Sequence, residues 1–154
     1  VRLVGSEMCI RDSSYETQNM GCQMLRGDSL IHTMLGVEFE EPIYKITRLR
    51  ILDGEPAAIH ISYMAEDLFP CIQEDGASVT SVYDYIHNCG YSNLHTENRQ
   101  LTVSSLSKKE RALLQIKGYA PSLVLTCRCI TLPAGTVVEV ARTIYRSDKF
   151  IFEI

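Results

Sequence analysis

Hydrophobic and polar positions alternate most regularly in YKITRLRILDGEPAAIHISY, residues 44–63, where two runs rich in Ile and Tyr flank Asp53 and Gly54. Such alternation around an Asp-Gly pair predicts two antiparallel strands joined by a tight turn. A two-residue loop pairs Leu52 with Glu55 and sets Arg50 opposite Ala57 and Arg48 opposite Ile59. The arginines then share a face with Ile46, Ile59, Ile61 and Tyr63. Because strand side chains alternate with period two, Arg48 and Arg50 lie on one common face in any register.

Elsewhere the pattern predicts isolated helices between strands. SSYETQNMG is polar and lacks periodicity, so residues 14–20 read as a linker remnant. DSLIHTMLGV offers Asp28 or Ser29 as a helix cap, a short apolar stripe and Gly36 as a stop. SVTSVYDYIHNCG carries Val79, Val82, Tyr83 and Ile86 at helical spacing, with Ser78 or Thr80 as cap and Gly90 past the end. HTENRQLTVSSL reads as a strand, and SKKERALLQIKGY opens with a capping box from Ser107 to Glu110. SLVLTCRCITL and GTVVEVARTIYRSDKFIFEI supply further strands around a Pro-Ala-Gly turn. Antiparallel runs interrupted by helices predict an α+β class with a mixed, mainly antiparallel sheet.

The 154 residues are 45% hydrophobic and 22% charged, which fits one globular domain with a core. A net charge of -4 argues against this segment gripping nucleic acid itself, since phosphate neutralisation needs clustered Lys and Arg. No apolar run is long enough to span a bilayer, and a cytoplasmic, soluble chain is expected. The first residues, VRLVGSEMCIRDS, resemble a translated sequencing-adapter peptide, so 1–13 are read as a processing scar, the alternative being a mobile arm.

Six cysteines in a chain of this length read as mostly reduced core thiols. Cys127 and Cys129 point the same way on a strand but lack the second ligand pair of a zinc knuckle. His32, His60, His87 and His95 show no ligand spacing and read as surface or hydrogen-bonded residues. No metal or cofactor is called for.

Two guanidinium groups on an apolar face require a counter-charge. Carboxylates of the same domain, water at a sheet edge, or a bound anion would each supply one. Arg146 and Asp148, on the opposite face from Tyr145, read as a structural salt bridge or a domain contact.

LGVEFEEPIYKITRLRILDGEPAAIHISYM, SVYDYI, LLQI and the terminal VEVARTIYRSDKFIFEI resemble, in order and spacing, the effector-binding (UTRA) domain of GntR-type transcription regulators, HutC subfamily. The resemblance covers residues 21–154. It implies a chorismate lyase-like fold that binds a small metabolite, forms a homodimer, and is preceded by a winged helix-turn-helix domain that is missing from this sequence. In members that sense amino-sugar phosphates, paired arginines on the first strand hold phosphate, a Ser-x-Tyr at the next helix adds hydroxyls, and acidic and tyrosine side chains near the C-terminus meet the sugar. The matching positions are Arg48 and Arg50, Ser81 and Tyr83, and Glu139 and Tyr145.

Each role has a plainer rival: Ser81 as a helix cap, Tyr83 as core packing, Glu139 as an ion-pair partner of an arginine. Glu139 and Tyr145 share a strand face but lie roughly 20 Å apart on a regular strand, longer than a sugar phosphate. The resemblance implies a sensor of a small anionic metabolite. A stand-alone lyase-like enzyme acting on a carboxylate substrate is the alternative, although the spacing supports no set of nucleophile, base and orienter. A plain dimerisation domain is a third reading.

Overall fold

The computed structural model describes residues 2–4, 7–9 and 15–153, with side chains from 16 to 150. In chain order the elements are β1 (Arg2–Val4), β2 (Glu7–Cys9), β3 (Tyr15–Leu25), α1 (Ser29–Leu35), β4 (Ile43–Leu52), β5 (Glu55–Ala65), α2 (Ile72–Asp75), a 3-10 turn (Gly76–Ser78), α3 (Val82–Asn88), β6 (Leu94–Ser105), α4 (Lys108–Leu114), β7 (Pro121–Thr131), β8 (Thr136–Arg146) and β9 (Ile151–Glu153). A six-stranded sheet runs in the order β3-β4-β5-β8-β7-β6. All its pairings are antiparallel. This is the α+β, chorismate lyase-like arrangement that the resemblance implied, with parallel pairing among the described residues confined to β1 and β9.

The central hairpin forms at the expected turn but not in the expected register. Asp53 and Gly54 both take positive φ, 51° and 81°, and Leu52 pairs with Glu55. Ile51 then faces Pro56 while Arg50 faces Ala58, so Ala57 is an extra residue and the ladder slips by one. Pro56 has no N–H to donate, and a bulge is the usual accommodation. Beyond it Arg48 faces His60 rather than Ile59. The arginines therefore share their face with Ala58, His60 and Ser62, and Ile59, Ile61 and Tyr63 turn to the other side.

Residues 14–20 differ from the expected linker, because Tyr15–Leu25 forms the edge strand β3 against β4. No described residue of β3 is fully buried, so the strand carries no apolar signature. Its place is held by the ladder and by Asn19, whose amide donates to the carbonyls of Gly76 at 2.9 Å and Val79 at 2.7 Å. A Cβ at Gly76 would run into the Cys22 sulfur, so this approach of β3 to the 3-10 turn requires glycine. The expectation of a foreign leader at 1–13 falls largely on residues outside the described ones.

Local signals hold at the helices. Asp28 caps α1, accepting from the Ile31 N–H at 3.1 Å, and Gly36 ends it in the left-handed region. Ser107 and Glu110 close the capping box of α4. On α3 the cap is Ser81, not Ser78 or Thr80. Arg146 grips Asp148 with two nitrogens, at 2.8 and 3.0 Å, as the expected salt bridge.

Two faces of the sheet carry different chemistry. One packs Leu49, Ile59, Ile61, Val140 and Ile144 against α1 and α4 in a continuous apolar core. The other has two separate apolar clusters. Tyr44, Ile46, Met64 and Val138 meet Phe69, Ile72, Val82 and Ile86 at one end, and Leu52, Ala58, Leu125, Tyr145 and Phe150 gather at the other. Following β4 from the first cluster to the second, the intervening residues on that face are Arg48 and Arg50; on β5 they are Ser62 and His60. A polar band thus crosses the sheet between two dry ends.

Candidate functional site

The band opens into a cavity of about 170 Å³ lined by Arg48, Arg50, His60, Thr80, Ser81, Val82, Tyr83, Ile86, Cys129 and Glu139. Arg48 forms its floor and is 2% exposed. One of its terminal nitrogens donates to the Ser62 hydroxyl at 2.9 Å and the other to the Thr80 carbonyl at 3.3 Å. Ser62 in turn donates to the Glu139 carboxylate. Arg48 therefore ties β4 to the loop before α3 and, through Ser62, to β8.

Asn19 stands opposite Arg48 on β3 and holds the same loop at the carbonyls of Gly76 and Val79. Together they fix the start of α3, where the Ser81 hydroxyl accepts from the Asp84 N–H at 3.3 Å. Ser81 is both the cap of that helix and a wall of the cavity. Tyr83 is 65% exposed at the rim, so core packing is not its role.

Arg50 lies one step nearer the turn and is half-buried. Its guanidinium reaches the His60 Nδ1 at 3.4 Å. Burial, then the charges of Arg48 and Arg50, push the His60 imidazole well below its ordinary value. A neutral ring with Nδ1 accepting carries its proton on Nε2. Glu139 is pushed up by desolvation, against the opposing pull of Ser62 and Arg48. Among the described lining residues, two guanidinium groups share the cavity with one carboxylate, Glu139, which a hydroxyl already holds.

Tyr145 does not line the cavity. It sits in the far apolar cluster, edge-on to Phe150 with ring centroids 4.8 Å apart. It shares a cross-strand row with Arg50 through Ala58, and burial pushes its hydroxyl up against the smaller opposing pulls of Thr143 and Arg50. The structure thus brings Arg48, Arg50, Ser81, Tyr83 and Glu139 together and leaves Tyr145 at the border of the band. His60, Ser62 and Asn19 were not legible as site residues, because the bulge at Ala57 and the β3 pairing put them there.

The cysteine expectation is revised in one respect. The five described cysteines are free, but Cys71 and Cys89 are exposed and the other three only half-buried. Burial and Glu139 hold the Cys127 thiol up to about 11 and the Cys129 thiol up to about 12, so neither is a ready nucleophile. Among the described residues no helix is long and apolar enough to cross a membrane. Larger, more open grooves lie beside β3, one of about 600 Å³ lined by Arg26, Glu41, Pro42, Glu66, Asp67 and Pro70. Acidic side chains outnumber the one arginine there, which suits an anion poorly.

Comparison with known proteins identifies the fold and the family. The HTH-type transcriptional repressor NagR of Bacillus subtilis (strain 168) is 28% identical over 130 residues, 84% of this chain and 53% of that protein. The HTH-type transcriptional regulator GmuR of the same organism is 27% identical over 117 residues, 76% of this chain and 48% of its own. The chain spans about half the length of the curated relatives it matches. Among solved structures, the effector domain of PhnF from Mycobacterium smegmatis superposes with a TM-score of 0.82 at 20% identity, over 92% of this chain and 86% of that one. PhnF itself gives 0.86 at 19% identity, over 99% and 69%. These likenesses show the fold. The profile of the UTRA domain matches residues 11–151, and the chain belongs to that family, the effector-binding domain of GntR-type transcriptional regulators.

Proposed function

We propose that the chain senses a small anionic metabolite, best a phosphorylated sugar or a compound of similar charge, through the cavity over Arg48 and Arg50. The observation that carries this reading is the polar band: two guanidiniums and a neutral His60 in a cavity whose wall holds one carboxylate. Guanidinium forks match phosphate oxygens, and each charge-assisted bond contributes on the order of 1.5 to 3 kcal/mol. The volume of about 170 Å³ is small against the ~300 to 1,000 Å³ of most ligand sites. It suits an anionic head seated inside, with the body of the metabolite lying out over the exposed Tyr83 ring.

On this reading the module is part of a cytoplasmic homodimer. DNA is read by an N-terminal winged helix-turn-helix outside this sequence, and effector and operator affinities are reciprocally linked. The matched relatives are transcriptional regulators by name, which supports binding over lyase-like chemistry.

Thermal unfolding against a panel of sugar phosphates, phosphonates and carboxylates tests the proposal. A ligand at 100 times its dissociation constant should add about 2.7 kcal/mol, a rise on the order of 5 to 10 °C. Arg50→Ala should abolish the rise. No shift with any anion, or an equal shift in that variant, removes the proposal.

A further inference from the structure

We infer that His60 is a proton-operated latch on Arg50: when an anion enters the cavity, Nδ1 takes up a proton, breaks its bond to the guanidinium, and both groups turn to the anion. The inference rests on the anion-site reading above and adds to it a pH-dependent regulation of that site. His60 stands directly across the ladder from Arg48, one step from Arg50, and lines the cavity with both. Its Nδ1 lies 3.4 Å from an Arg50 terminal nitrogen, a long contact that exists only while Nδ1 accepts. Protonated Nδ1 would set donor against donor, so the Arg50 contact and the imidazolium exclude each other.

The surroundings decide which form is present. Arg48 and Arg50 from β4 oppose the cation. Glu139 from β8 lines the same cavity and favours it, but its carboxylate is already engaged by Ser62. Cys129 from β7 is a neutral thiol, and the start of α3 adds only the hydroxyls of Thr80, Ser81 and Tyr83. With the cavity empty, burial and then the guanidiniums prevail and the ring is neutral. An anion between the guanidiniums cancels that repulsion and supplies an acceptor for Nδ1–H. The bound state then holds one more proton than the free state. Anion affinity must rise as pH falls from the bound-state value of His60 to its lower free-state value, by up to about tenfold per pH unit.

The test uses inorganic sulfate, whose charge is constant over this range, so any proton taken up belongs to the protein. Calorimetry at pH 6 in two buffers of different ionisation enthalpy reads proton uptake, and the His60 ring signals in NMR report its titration with and without sulfate. Uptake of up to one proton is expected, with an upward move of the His60 titration. His60→Gln should lose the uptake and flatten the pH dependence while still binding sulfate. Glu139→Gln should keep the uptake. Sulfate binding without proton uptake, or uptake that survives in His60→Gln and disappears in Glu139→Gln, overturns the latch and leaves the anion site standing. Absence of binding by sulfate and by every phosphorylated compound in the panel overturns both.

Discussion

The two faces of β4, β5 and β8 come from the same three strands and do opposite work. One face is mainly apolar under α1 and α4, its half-buried Arg142 paired at 3.6 Å with Glu110 of α4. The other interrupts its apolar packing with a band of Arg48, Arg50, His60, Ser62 and Glu139. Period-two alternation lets most apolar burial be concentrated on the first face, while the second holds the guanidiniums through polar contacts such as Arg48 to Ser62 and Thr80. The dry clusters at either end of the band exclude water from its flanks and strengthen the electrostatics between them.

The largest effect is expected on the apolar face. Ile59→Ala leaves a cavity at a position 1% exposed, and denaturant unfolding should show a loss of about 2 to 5 kcal/mol. Anion affinity, measured well below the unfolding transition, should stay within twofold of the parent. On the polar face, Ser62→Ala removes the hydroxyl between Arg48 and Glu139 and should cost about 1 to 3 kcal/mol. That loss should be smaller than for Ile59→Ala, and greater than for Arg50→Ala, whose main effect falls on binding.

How far these contrasts were legible in the sequence differs between fold and site. The Asp53-Gly54 turn, the capping box at Ser107 and Glu110, and the caps of α1 are local chemistry, and local chemistry reads directly. Edge strand β3 does not, because its pairing depends on β4 and on Asn19 reaching carbonyls some sixty residues away. Parity put Arg48 and Arg50 on one face in any register. The identity of their neighbours depended on one bulge residue, Ala57, and the signal for it was Pro56, which cannot donate to the ladder. Glu139 was identified through family resemblance, and its route to Arg48 through Ser62 is a three-strand relation that no single segment contains.

Acid dependence sharpens the contrast further. His60 has its folded value below the unfolded one, so the folded chain binds fewer protons and stability falls as pH drops through the ordinary 6.5 toward the folded value. Glu139 has the opposite sign: its folded value is raised, and the stability present at low pH is lost as pH rises from the ordinary 4.5 through the folded value. His60→Gln should therefore remove the acid-side loss, and Glu139→Gln the loss on the rising side, in chemical denaturation followed from pH 4 to 8. Variants on the apolar face should shift the whole profile without changing its slope.

The smallest effect is expected at Tyr83. Its ring is exposed, so Tyr83→Ala should change stability by less than about 0.5 kcal/mol. Binding of inorganic phosphate should be unchanged, while a sugar phosphate should bind more weakly, because only the larger ligand extends over the rim.

The most direct measurement is a backbone amide NMR titration with a hexose 6-phosphate. The polar-band account predicts shifts clustered at residues 48–50, 60–62 and 79–84, with Leu49 moving only as a neighbour and Val140 and Ile144 on the apolar face silent. Shifts centred instead on Arg26, Glu66 and Asp67 beside β3, or no shifts with any phosphorylated sugar, would contradict it.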